Sequence, residues 1–80
     1  MHFPSDVPVE RLITTLESLR FQKVSTGGRH IALLRIRTDG TPTPITIPNQ
    51  DRIKASALRV LCAETGVPAN VFLEMYRLSE

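Results

Sequence analysis

His30 is the residue of this chain best suited to do chemistry. It follows Gly27, Gly28 and Arg29 in the stretch STGGRHIA and opens an apolar run. Imidazole, with an ordinary pKa near about 6.5, is the side chain matched to proton transfer at neutral pH. Arg29, Lys54, Arg35 and Arg37 are cations of the kind that position an anionic substrate and stabilise a phosphorane-like transition state. Together they fit cleavage of RNA, whose own 2′-hydroxyl becomes the nucleophile once another group moves its proton. Positioned general acid–base catalysis contributes about 10²- to 10⁴-fold to such a reaction. The plainer readings are a surface histidine at the mouth of a hairpin, or a hydrogen-bonded one at the edge of a core. Lys54, Arg35 and Arg37 read equally well as solvated charges.

Other chemistry finds less support in the residues. His2 stands near the terminus and belongs to no pattern. Cys62, the only cysteine, cannot form an internal disulfide, and it falls at an apolar helical position. It reads as a small buried hydrophobe in a reducing compartment. Two distant histidines, one cysteine and scattered acids offer no metal-ligand spacing, so neither a metal nor another cofactor is expected. There is no phosphate-cradling glycine loop and no nucleophile elbow. In-line cleavage needs both a base and an acid, and beside His30 the second proton-transfer group has no candidate.

The charges are unevenly placed. Between Arg20 and Arg59 stand Arg20, Lys23, Arg29, Arg35, Arg37, Arg52, Lys54 and Arg59 against Asp39 and Asp51, a balance of +6. The flanks set Arg11 and Arg77 against six acids, a balance of −4. A basic centre on an acidic frame suits a polyanion, because clustered Lys and Arg displace counterions condensed on phosphates. It also suits a solvated sheet surface. The N-terminus lacks a basic stretch followed by an apolar core, and no apolar run approaches membrane length. The expected location is therefore the cytoplasm, with no membrane partner.

Eighty residues make a single domain, 1–80, that buries roughly 60% of the surface its unfolded chain exposes. Val9, Leu12, Ile13, Leu16 and Leu19 follow helical spacing behind Ser5, Asp6 and Pro8, predicting a helix over about 8–19. Phe21 then plugs the core as a first strand, FQKVS, runs to Gly27 and Gly28, whose freedom at positive φ permits a tight hairpin. HIALLRIR is the second strand, with Arg35 and Arg37 projecting together from one face. TDGTPTP is a turn, and ITI before Pro48 is a short third strand. Ala57, Leu58, Leu61 and Cys62 form a helix ended by Gly66, and Pro68 starts a last helix bearing Val71, Phe72, Met75 and Leu78.

The order is α-β-β-β-α-α, an α+β fold with helices packed on one face of a three-stranded antiparallel sheet. The open sheet face and its adjoining loops are then expected to carry the basic residues.

Taken in order, SLRF, GRH, TIP, KASAL and LRVLCAETGV resemble the motifs of the HicA-type toxins of bacterial toxin–antitoxin pairs, over nearly the whole chain. The departures are Arg20 where that family prefers glycine, Arg29 where it prefers serine, Ser56 and Ala57 in place of Gly-Thr, and Asn49 near a common second histidine. The resemblance implies a fold like that of double-stranded-RNA-binding domains and an endoribonuclease activity on mRNA. It also implies a HicB-type antitoxin partner that covers the active site, and a catalytic role for His30 alone.

Two other classes of function fit the residues. One is a non-catalytic RNA- or DNA-binding module, with a helix-turn-helix around Gly66; Glu74 on its second helix is a poor reader of a phosphate-lined groove. The other is a degenerate toxin relative retained for antitoxin binding.

Overall fold

The computed structural model describes residues 3–79, so His2 lies outside the described residues. The elements run β1 (Val7–Pro8), α1 (Val9–Ser18), β2 (Gln22–Gly27), β3 (His30–Ile36), β4 (Pro42–Pro48), β5 (Arg52–Ile53), α2 (Ala55–Thr65) and α3 (Ala69–Leu78). β2, β3 and β4 form a three-stranded antiparallel sheet in that order. β1 and β5 form a separate two-stranded ladder in which Val7 faces Ile53 and Pro8 faces Arg52.

The helical spacing of α1 buries Leu12, Thr15 and Leu16. Its first turn has no side-chain cap; instead the Val9 N–H donates to the Asp51 carbonyl at 3.1 Å. At the other end the Phe21 N–H donates to the Leu16 carbonyl and the Arg20 N–H to that of Glu17, both at 3.0 Å. This is a Schellman closure, which requires a left-handed residue at its centre. Arg20 fills that place at φ 73°, a conformation that costs a residue bearing a Cβ about 1 kcal/mol relative to glycine. The closure drives Phe21 into the core, where it is 1% exposed.

The hairpin between β2 and β3 turns on Gly28, at φ 62°, with Arg29 as the second turn residue and Gly27 facing His30. A bulge at Val24 shifts the register between Lys23 and Ser25. β4 is longer than ITI and takes in Pro42, Pro44 and Pro48. It is an edge strand, and these prolines share one alternation phase, so their missing N–H groups face outward where no ladder bond is lost. α2 ends as its sequence suggests, with Gly66 at φ 74° and its N–H on the Cys62 carbonyl at 3.0 Å.

Ile31 and Leu33 of β3 and Ile45 and Ile47 of β4 form the buried sheet face, and they join Leu12, Leu16, Leu58, Leu61 and Phe72 from the helices in one core. The opposite face presents His30, Ala32, Leu34 and Ile36 of β3 beside Pro44, Thr46 and Pro48 of β4. This corrects the expectation of a basic open face. Over β3 and β4 the face is largely apolar, with Ile36 59% exposed, and Gln22 and Ser25 of β2, opposite Leu34 and Ala32, are its polar part. Arg35 projects to the helix side, as its pairing with buried Thr43 requires.

Candidate functional site

His30 begins β3, where the hairpin leaves it paired with Gly27 on one side and Pro48 on the other. Its ring is exposed. It lines an open groove of about 280 Å³ whose sheet wall is His30, Thr46 and Pro48 and whose helix wall is Ala57, Val60 and Glu64 of α2. His30 and Glu64 thus both line this groove. Each carries a group able to hold a proton, the kind of pair that general acid–base chemistry uses.

The turn that carries His30 is held from across the sheet. The Asn49 N–H donates to the Arg29 carbonyl at 2.9 Å, and its Nδ2 donates to the Gly28 carbonyl at 3.1 Å. Both turn carbonyls are therefore fixed by a single residue just past β4. Arg29 is exposed and adjoins the imidazole in the chain. Lys54, also exposed, occupies the cap position of α2, and its carbonyl accepts the Ala57 N–H at 3.0 Å. It stands one turn ahead of the helix wall of the groove.

Arg35 and Arg37 are placed elsewhere. One Arg35 nitrogen donates to the Thr65 carbonyl at 3.3 Å, and its guanidinium lies 4.9 Å from the centre of the Phe21 ring. The Arg37 guanidinium reaches to 4.0 Å from the point where a Cβ on Gly66 would stand. Both therefore point toward the C-terminal end of α2, as a pair. From His30 to Ile36 is roughly 20 Å along an extended strand, so neither arginine shares the groove with the imidazole. The structure puts His30 in one groove with Ala57, Val60 and Glu64 of α2; Arg29 and Lys54 flank that groove in the chain without lining it, and Arg35 and Arg37 stand apart.

Glu64 is the residue that sequence reasoning passed over, and Asn49 enters there only as a departure near the family's second histidine, not as a support for the turn. Glu64 follows Ala57 and Val60 at helical spacing, so the three share one stripe of α2. Only the packing of α2 beside β4 turns that stripe into a wall of the His30 groove. Cys62, by contrast, is buried within the core, and burial pushes its thiol pKa up, away from thiolate chemistry.

No three His, Cys, Asp or Glu side chains cluster as metal ligands among the described residues. Among the same residues no helix is long and apolar enough to cross a membrane. Compared with known proteins, the chain matches no family model, no curated protein and no solved structure.

Proposed function

We propose that this chain is a HicA-type toxin, a cytoplasmic, metal-independent endoribonuclease acting on mRNA and restrained by a HicB-type antitoxin. The single observation that carries the reading is the exposed His30 imidazole sharing an open groove with the Glu64 carboxylate. Three helices against a three-stranded antiparallel sheet support the further likeness to double-stranded-RNA-binding domains.

In this mechanism the RNA 2′-hydroxyl attacks the adjacent phosphorus, giving up its proton to one of the pair His30 and Glu64. The bond from phosphorus to the 5′-oxygen breaks, and the other member protonates the departing oxygen. The products are a 2′,3′-cyclic phosphate and a 5′-hydroxyl. Arg29 and Lys54 supply positive charge to the phosphate, and Asn49 holds the turn from which His30 projects. The antitoxin, in the same reading, covers this groove.

Incubation of mRNA with His30→Ala tests the reading. The variant should fold like the parent, since the ring is exposed, and should cleave about 10²- to 10⁴-fold more slowly. A substrate with 2′-deoxyribose at the scissile position should resist the parent protein. Undiminished cleavage by His30→Ala rules the mechanism out. The apolar open face favours one second reading, a relative retained for antitoxin binding; expression without an antitoxin then leaves bacterial growth unaffected, whereas the active toxin arrests it.

A further inference from the structure

Arg20, just past α1, and Arg35 and Arg37, at the end of β3, line one cleft of about 310 Å³ with Ile36 and Thr38. Among the described residues none of the three is in an ion pair. Arg35 is anchored by the Thr65 carbonyl and the Phe21 ring, so its guanidinium is held in place before any ligand arrives. Asp39 is the acid nearest in sequence. Its carboxylate is engaged chiefly by Thr41, whose backbone N–H it accepts at 2.9 Å, with a smaller attraction from Arg37.

Arg20 adds a second, independent observation. It sits at φ 73°, in a conformation that glycine would adopt without cost. A strained backbone under a cation that lines the same cleft as two others points to a task for that side chain. Guanidinium groups pair with phosphate oxygens in a bidentate fork, and converging cations in a concave site concentrate the field on such a group.

We propose that the cleft of Arg20, Arg35 and Arg37 is a phosphate-binding site, separate from the His30 groove. It takes a phosphate group, either on a nucleic-acid strand or on a small free anion. The site stands at the other end of β3 from His30, so it holds a different phosphate from any at the imidazole. It does not depend on the nuclease reading.

The test follows the arginine Nε–Hε resonances of the whole chain by NMR during titration with inorganic pyrophosphate, and separately with a 2′-O-methyl oligoribonucleotide that cannot be cleaved. Arg20, Arg35 and Arg37 should shift together and saturate, with Arg52 and Arg59 as internal controls. Saturation by pyrophosphate alone assigns the site to a free anion; tighter saturation by the oligonucleotide assigns it to a strand. Arg37→Ala and Arg20→Gly should each weaken binding about tenfold. Each should also reduce the salt dependence of oligonucleotide binding by about 0.7 in log–log slope.

Arg20→Gly should at the same time raise Tm by about 4–8 °C, so its loss of binding cannot be ascribed to a loss of fold. Shifts spread evenly over the control arginines, or unchanged binding by Arg20→Gly, overturn the proposal. A protein that binds pyrophosphate here yet never cleaves RNA keeps this site and loses the nuclease reading. One that cleaves RNA while Arg20→Gly binds normally does the reverse.

Discussion

Along β3 the side facing the helices runs Ile31, Leu33, Arg35, while the side facing solvent runs His30, Ala32, Leu34, Ile36. The covered face ends in a cation and the open face in a bare isoleucine, which inverts the division expected of a half-buried sheet. Two local circumstances permit it. Arg35 reaches the last turn of α2, where a carbonyl and an aromatic ring receive it. Ile36 lies at the end of the strand, beyond the reach of any helix. Being apolar and being covered are thus separable properties of a strand position, and the helix that happens to end nearby decides which one matters.

Substitution on the two faces gives the widest contrast. Leu33→Ala removes a side chain that is 1% exposed and should lower stability by roughly 2–5 kcal/mol. Ile36→Ala on the open side should stay within about 0.5 kcal/mol. Urea denaturation of both proteins measures the difference, and equal losses would dissolve the distinction between the faces.

Arg35→Ala should fall between them, at about 1–2 kcal/mol, from the lost hydrogen bond to Thr65 and the lost contact with Phe21. Arg35→Met, which keeps the apolar stem, should lose less; if it loses as much, stem packing is not what the covered face gains from this residue. The smallest effect belongs to Cys62, which is buried among the covered side chains. Its thiol pKa is raised in the fold by burial. The neutral thiol is therefore the form the fold favours, and its contribution is complete below the unfolded pKa. That contribution is lost as pH rises through the unfolded value and toward the folded one, above about pH 8.5. Melting curves between about pH 7 and 10 should show an alkaline decline that is shallower in Cys62→Ala; parallel declines would remove the thiol from the account.

Much of this arrangement is legible in the residues. The stripe of Val9, Leu12, Ile13 and Leu16 specifies α1, Gly28 the hairpin, and Gly66 the end of α2, because each depends on chain neighbours alone. The joint projection of Arg35 and Arg37 follows from the alternation of a strand. Which way they project does not, since both phases of HIALLRIR contain apolar residues and alternation is silent about where a helix will lie.

Pro42 and Pro44 read as turn residues until β4 is known to be an edge, where the absent N–H costs nothing. β5 is two residues inside a polar stretch, too short for any period. For the candidate site, His30 is marked by its setting after paired glycines and by the resemblance of its motif. Glu64 and Asn49 are not, because their relation to it arises only across β4.

The small ladder of Val7 and Pro8 against Arg52 and Ile53 bears on how the protein is made. Val7 and Pro8 leave the ribosome well before their partners and acquire them only after residue 53 has been added. At about 5–20 residues per second that is an interval of roughly 2–9 s. During this wait α1 has neither the Asp51 carbonyl on its leading N–H nor Ile53 beside Val7. An isolated hairpin and a helix as short as α1 are each marginal in water, so the domain closes only when its second half has been synthesised.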